Sequence, residues 1–268
     1  MGSKLGHVRS LFEKPNWYLK RIHNIRIRIE TVKEFLKNES FSRILDIGCG
    51  DGSISLPLLT PQRHLTLTDL SEGMLSIAHS KIPAELVENV EIVNKDFMAA
   101  AFGEQSYDLI VCVGVLAHVD SPEALLRKIV SLLEPGGSLV LEQTAADHFM
   151  TDIVRLLEKA HGLFVPEKYE RNQLSRSEII GMLEKQGLEL VASFRYSLPL
   201  PGMHRLFNQN SLYKMIRLVY GAYPHARLSR LGNECIYLFK LTDRPGQGGK
   251  RPEKRFAYED QQATSNSV

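Results

Sequence analysis

Cysteine is scarce in this sequence, and long apolar runs are missing from it. Three cysteines occur among 268 residues, Cys49, Cys112 and Cys235, and no two of them have the C-x-x-C spacing. A disulfide framework or a metal site is therefore not predicted, and we expect reduced, buried thiols in a cytoplasmic protein. No stretch reaches 18 apolar residues, and no basic segment followed by an apolar core opens the chain. Neither a membrane span nor a secretory signal is predicted.

An excess of one charge sign is also missing. The 33 Lys and Arg residues stand against 31 Asp and Glu, so the formal net charge is only +2 and says little about partners. With 43% hydrophobic and 24% charged residues, the chain suits one large α/β domain with a core that needs no covalent staples. Nothing in the sequence indicates an oligomeric state.

A glycine-rich stretch after a short apolar run is the strongest motif. Residues 43–47 read as a buried strand, and Gly48, Gly50 and Gly52 follow at alternate positions, which is typical of a tight turn that a ligand approaches closely. A dinucleotide fingerprint would read G-x-G-x-x-G, whereas this stretch reads D-x-G-x-G-x-G from Asp46. A carboxylate at this place would repel a phosphate but could accept hydrogen bonds from an amine-bearing or cationic group.

Further strands follow in register, and two of them end in acids. The strand 63–69 ends at Asp69, 17 positions beyond Gly52, where an acid can hydrogen-bond both ribose hydroxyls. The strand 90–94 leads into Lys95, Asp96 and Phe97. A fourth strand, 107–113, runs into Gly114, and a fifth, 137–143, follows a Pro-Gly-Gly turn.

These ordered matches over residues 43–144 resemble the class I S-adenosylmethionine-dependent methyltransferases. The resemblance implies a Rossmann-like, doubly wound α/β fold with seven mainly parallel strands, the last one antiparallel between strands five and six. It implies S-adenosyl-L-methionine as cofactor, with Asp96 on the adenine amine and Phe97 over the ring. The implied cofactor-binding residues are Asp46, Gly48, Cys49, Gly50, Gly52, Asp69, Leu70, Met74, Asp96, Phe97, Val113 and Gly114.

Besides the domain that contains these motifs, we predict an amino-terminal cover, a cap and a tail. Residues 1–40 are predicted to form an arm and a helical cover whose apolar stripe is Ile22, Ile25, Ile29, Val32 and Leu36. The methyltransferase domain is expected over 41–242, with a helix at 53–59 after the glycine turn and another at 147–160. A cap is predicted at 197–232, with a helix at 211–221, and a disordered tail at 243–268.

No catalytic residue follows from the resemblance. A general base is needed only when the acceptor's own pKa keeps it protonated. His148, just after the fifth strand, and His204, in the cap, are the candidates for that role. His118 is a third candidate, which we expect to order its loop instead.

The predicted reaction is methyl transfer to a small-molecule acceptor, foremost to oxygen, with nitrogen and carbon as alternatives. The cap contains five cations and four aromatic residues but no acid, which favours an anionic or aromatic acceptor. The five cations are Arg205, Lys214, Arg217, Arg227 and Arg230. Methylation of tRNA or another nucleic acid is the alternative, although the residues after strand four, Val113 to Leu116, lack the Pro-Pro-aromatic motif of amino-base methyltransferases. A non-catalytic cofactor-binding subunit is a third reading.

Overall fold

A computed structural model describes residues 22–102, 106–149, 152, 156, 172, 174–197, 207–226 and 228–242. Strands and helices alternate over most of this part of the chain. The strands are β1 Arg43–Ile47, β2 His64–Thr68, β3 Val90–Val93, β4 Tyr107–Cys112, β5 Leu133–Thr144, β6 Leu188–Tyr196 and β7 Glu234–Leu241. The helices are α1 Ile22–Phe35, α2 Glu72–Ser80, α3 Pro122–Leu132, α4 Arg176–Glu184 and α5 Gln209–Tyr220.

The strands form one seven-stranded sheet in the order β3-β2-β1-β4-β5-β7-β6. The pairs from β3 to β5 are parallel, and β7 is antiparallel to both of its neighbours. This confirms the predicted doubly wound sheet with the last strand inserted between the fifth and sixth. The strand order reverses between β1 and β4, and open α/β sheets bind ligands outside the carboxyl ends of their strands at such a switch point.

Helices cover both faces of the sheet, and each face has its own core. Side chains alternate along β1, so that Ile44 belongs to one core and Leu45 to the other. The first core packs against α1 and α5, and the second against α3 and α4. The three cysteines are free and buried, as predicted.

Local capping signals set several helix starts. Ser121 accepts a hydrogen bond from the Ala124 N–H at the start of α3, just before Pro122. At the start of α4, Ser175 and Glu178 form a reciprocal capping box. The sequence predicted both starts, and both are confirmed.

Two predictions about helices were wrong in detail. The helix expected at 53–59 is reduced to a 3₁₀ turn, Leu56–Leu58, because Pro57 has no N–H to donate and Leu58 and Leu59 donate to carbonyls three residues back. On α1 the fully buried face contains Ile27 and Val32, whereas Ile22 from the predicted stripe is 55% exposed.

Some predictions lie outside the described residues or are not tested. The helix predicted at 147–160 falls mostly on residues that are not described, and so does the tail. The division into cover, methyltransferase domain and cap stays a prediction. Within the described part of the chain, no helix is both long enough and apolar enough to cross a bilayer.

Candidate cofactor and active site

A cavity of about 290 Å³ opens at the carboxyl ends of the central strands. Its walls come from the glycine turn after β1, the loops after β2, β3 and β4, the ends of β5 and β7, and one face of α1. The cavity therefore lies at the switch point of the sheet, where the strand order predicts a ligand.

The glycine turn forms one wall and is tied to the end of β2. The Gly48 and Cys49 N–H groups both donate to the Thr68 carbonyl, at 2.8 and 3.1 Å. Gly48, Gly50 and Gly52 have positive φ angles of 64°, 54° and 71°, which L side chains rarely adopt. The turn thus requires glycine for its backbone conformation, and Gly48 and Gly50 line the cavity.

Asp69 faces the cavity from the end of β2. Its Oδ2 accepts a hydrogen bond from the Gly50 N–H at 2.9 Å, and its Oδ1 accepts one from the Ser71 N–H at 2.8 Å. Burial raises the pKa of this carboxyl, while the backbone donors act in the opposite direction. Because each carboxylate oxygen can accept more than one hydrogen bond, both remain able to bind a vicinal diol.

Asp46 lies behind the glycine turn. It is 2% exposed. Burial raises the pKa of Asp46 to about 7, and the nearby carboxylates Asp69 and Asp51 act in the same direction. Asp51 itself is paired with the Lys81 ammonium. Carboxylates therefore surround the turn, and one of them, Asp46, has a pKa close to neutral pH.

The loop after β3 supplies a further acid and an apolar surface. Asp96, Phe97 and Met98 line the cavity beside Leu70 and Met74. Phe97 and Met74 are 6% and 1% exposed, so they present edges of the core to the cavity. A carboxylate next to such side chains suits a flat heterocycle that carries a hydrogen-bond donor.

The far end of the cavity holds a buried ion pair. Arg28 on α1 donates from Nε and Nη2 to Glu142 Oε1 on β5, at 3.1 and 2.6 Å. The other oxygen, Oε2, would lie 3.7 Å from a Cβ on Gly114, which has a positive φ of 76°. Thr144 and Glu234 are hydrogen-bonded to each other at the same end. This end of the cavity is polar.

Most of the predicted site residues meet at the cavity. Those that line it are Gly48, Gly50, Asp69, Leu70, Met74, Asp96, Phe97, Val113, Gly114 and His118. Asp46, Cys49 and Gly52 lie behind the lining, because the end of β1 is buried and the Gly52 position faces Leu56 and Ala78.

Of the other two candidate bases, only His148 is described, and it does not line the cavity. His148 is half-buried beside Phe149, with ring centroids 4.6 Å apart, and is not among the lining residues. Desolvation lowers the pKa of His148, and Arg195 adds to the effect. His204 lies outside the described residues.

Sequence reasoning missed the residues that α1, β5 and β7 bring to the cavity. Arg28 and Glu142 are 114 positions apart, and neither belongs to a local motif. An acid in the apolar run at 138–144 was the only available signal for a site at the end of β5.

The cap helix α5 is fastened to α1. Arg217 pairs with Glu30, and the Tyr213 hydroxyl donates to both oxygens of the same carboxylate at 2.9 and 2.8 Å. Arg26 stacks over the Tyr213 ring at 3.9 Å. Arg217, which was expected to face an acceptor, thus holds the two helices together and is not a lining residue. Arg205 and Arg227 lie outside the described residues.

Comparison with known proteins gives three informative matches. An O-methyltransferase of ubiquinone biosynthesis from Hydrogenovibrio crunogenus is 34% identical over 119 residues, which are 43% of this chain and 48% of that protein. The chain thus spans about half the length of this relative. A demethylmenaquinone methyltransferase from Listeria monocytogenes is 25% identical over 208 residues, 70% of this chain and 87% of that protein.

A solved structure gives the third match. Magnesium protoporphyrin IX methyltransferase from Synechocystis, with bound S-adenosylhomocysteine, superposes with a TM-score of 0.61 at 17% identity, covering 90% of this chain and 100% of the other. The seven-stranded sheet with its glycine turn and strand-end acids is the fold of the Rossmann-like, S-adenosylmethionine-dependent methyltransferases. A family model described as methyltransferase domain matches residues 20–193, and the chain belongs to that family.

The cofactor of this family is S-adenosylmethionine, and the cavity fits it. Asp69 presents a half-buried carboxylate with spare acceptor capacity for a diol, and Asp96 stands beside apolar side chains that suit a purine. At Gly114 a Cβ would point toward Glu142 and Arg28, so a side chain there would narrow the passage between the two ends of the cavity.

Proposed function

We propose that this chain transfers the methyl group of S-adenosylmethionine to a small-molecule acceptor, foremost to an oxygen atom. The observation that carries the proposal is the single cavity itself. One end combines two acids with apolar side chains, the other end is polar, and Gly114 leaves room between them. A donor and an acceptor could therefore meet in one cavity.

In the proposed complex, the first end of the cavity binds the nucleoside. Asp69 would accept hydrogen bonds from the ribose hydroxyls, and Asp96 would accept one from the adenine amine. Phe97 would cover the base, while Gly48 and Gly50 would let the backbone come close to the ligand. Asp46 would influence the ligand only through the glycine turn, because it lies behind the cavity wall.

When bound, S-adenosylmethionine supplies a methyl group that its positively charged sulfur already activates. The residues of this chain would add alignment and exclusion of water, which can contribute several kcal/mol to lowering a barrier. Val113 and Gly114 would hold the reacting groups in line at the end of β4. If the acceptor needs to lose a proton, Glu142 and His118, which both line the cavity, would be the candidates to accept it.

The names of two relatives support a small-molecule acceptor, and one of them supports oxygen as the methylated atom. One is named as an O-methyltransferase of ubiquinone biosynthesis, and the other as a demethylmenaquinone methyltransferase. At the far end of the cavity, Glu142, Thr144 and Glu234 offer oxygen atoms that could accept from an acceptor O–H or N–H. An anionic group on the acceptor stays a prediction, and cations other than Arg217 would have to bind it.

Purified protein, incubated with labelled S-adenosylmethionine and a panel of acceptors, tests the proposal. The panel contains hydroxylated aromatics, matched aromatic carboxylates and bulk tRNA. Transfer of label to a hydroxylated aromatic, with S-adenosylhomocysteine released in equal amount, is the expected result. Label on tRNA alone would favour the nucleic-acid alternative. Cofactor binding without transfer to any extractable compound, including a metabolite extract, would favour a non-catalytic subunit.

A further inference from the structure

A lysine outside the cavity gathers the loop that forms one of its walls. Lys128 on α3 donates from Nζ to three backbone carbonyls of the loop after β3: Phe97 at 2.6 Å, Met98 at 3.1 Å and Ala100 at 2.6 Å. The same ammonium lies 4.8 Å from the centroid of the Phe97 ring and 5.5 Å from that of Phe102.

This arrangement uses the full donor capacity of the ammonium, which has three N–H groups and no acceptor. The loop reverses sharply, since the Ala99 and Ala100 N–H groups both donate to the Asp96 carbonyl at 3.0 and 2.8 Å. The reversal turns several carbonyls to the same side, where their dipoles repel one another. A cation at the point of convergence removes that repulsion and fixes the loop in one conformation.

The loop held in this way is the proposed adenine wall. Asp96, Phe97 and Met98 all line the cavity, and the Asp96 Oδ1 accepts a hydrogen bond from the Met98 N–H at 3.0 Å. Leu125, one turn before Lys128 on α3, lines the cavity too. One face of α3 therefore supplies both a piece of the wall and the anchor for the rest of it.

We propose that Lys128 is a positioning residue for adenine recognition. By binding the loop carbonyls from Phe97 to Ala100, it fixes the positions of the Asp96 carboxylate and the Phe97 ring. The inference rests on the proposed function, because it presupposes that the cavity binds the nucleoside of S-adenosylmethionine. It assigns to α3 a part in selecting a 6-amino purine. The competing account is a fold anchor that stabilises the loop without affecting which base is bound.

Two ligands that differ at one position of the base separate these accounts. S-adenosylhomocysteine carries the 6-amino group, and S-inosylhomocysteine carries an oxygen in its place, which a carboxylate at Asp96 would repel. Their dissociation constants are measured by calorimetry for wild type, Lys128→Met and Arg127→Met. Arg127 is the matched control, because its substitution removes one cation from the neighbouring position of α3, where the side chain is 70% exposed and pairs with the exposed Glu123.

We expect wild type to prefer S-adenosylhomocysteine at least tenfold. Lys128→Met should weaken that ligand by about tenfold or more and change S-inosylhomocysteine by less than threefold, so that the preference collapses. Arg127→Met should match wild type. Equal weakening of both ligands, or an unchanged preference, would reduce Lys128 to a fold anchor and overturn the inference.

Lys128→Arg covers the case in which the methionine variant does not fold. A planar guanidinium can address two of the three carbonyls well but not all three, so we expect an intermediate preference. A preference equal to that of wild type would refute the three-carbonyl geometry. If wild type binds both ligands without preference, the inference alone fails, whereas binding of neither ligand would remove the proposed function itself.

Discussion

Replacement of Asp69 by alanine is the most direct test of the cofactor end of the cavity. The wild-type carboxylate is half-buried, accepts hydrogen bonds from the Gly50 and Ser71 N–H groups and can accept more from a ribose diol. Hydrogen bonds to a charged group contribute about 1.5 to 3 kcal/mol in net terms. A loss of that size corresponds to roughly a 10- to 100-fold rise in the dissociation constant of S-adenosylhomocysteine.

The same substitution also leaves the Gly50 and Ser71 N–H groups without their acceptor, so folding and binding have to be measured separately. Calorimetric titration gives the affinity, and thermal unfolding without ligand gives the stability. Glu72→Ala serves as control, because it removes an exposed carboxylate three positions away that lies outside the cavity lining. A folded Asp69→Ala variant that binds within twofold of wild type would refute the assignment of this acid to the ribose.

Three further predictions concern charges around the cavity. Because burial raises the pKa of Asp46 to about 7, folding favours its protonated form, and the stability that this group contributes is lost as the pH rises through 7. The free energy of unfolding, measured with denaturant, should fall by about 1 kcal/mol between pH 6 and pH 8, and Asp46→Asn should abolish that fall. The same dependence on pH in the variant would contradict this. Arg28→Met should destabilise the fold by about 3 kcal/mol because it leaves Glu142 buried and unpaired, and adding Glu142→Gln should recover most of that loss in the same unfolding assay; a double variant no more stable than the single one would be the contrary result. Arg217→Gln should lower the free energy of unfolding by about 1 to 2 kcal/mol and the melting temperature by a few degrees, with cofactor affinity and acceptor KM little changed. A raised acceptor KM at unchanged stability would instead show that Arg217 contacts the acceptor.

The part of the site that could be predicted from the sequence is the part encoded by local order. Gly48 and Gly50 lie in the turn after β1, and Asp69 comes at the end of β2. Parallel strands bring such ends to one edge of the sheet. The helix caps at Ser121 and Ser175 and the inserted last strand were predictable for similar reasons, since they depend on short-range chemistry or on a common fold.

The rest depends on contacts between distant segments. Arg28 meets Glu142 across 114 positions, Arg217 meets Glu30 across 187, and Lys128 meets Phe97 across 31. No periodicity or spacing links the members of these pairs, so a sequence shows only charged residues on helices. Arg217 illustrates the risk, because the sequence grouped it with the cap cations that suggest an anion site, whereas the structure pairs it with a carboxylate of α1.

The position of β7 has a consequence for how the chain is made. Synthesis proceeds from the amino end, and β5 and β6 emerge well before the strand that joins them. Until residues 234–241 have left the ribosome, β5 has an open backbone edge over Ser138–Thr144, and β6 has no strand beside it. Non-local pairing of this kind is slow and exposes aggregation-prone edges. A nascent chain stalled before Glu234 would therefore be a natural client for a chaperone that binds extended apolar segments.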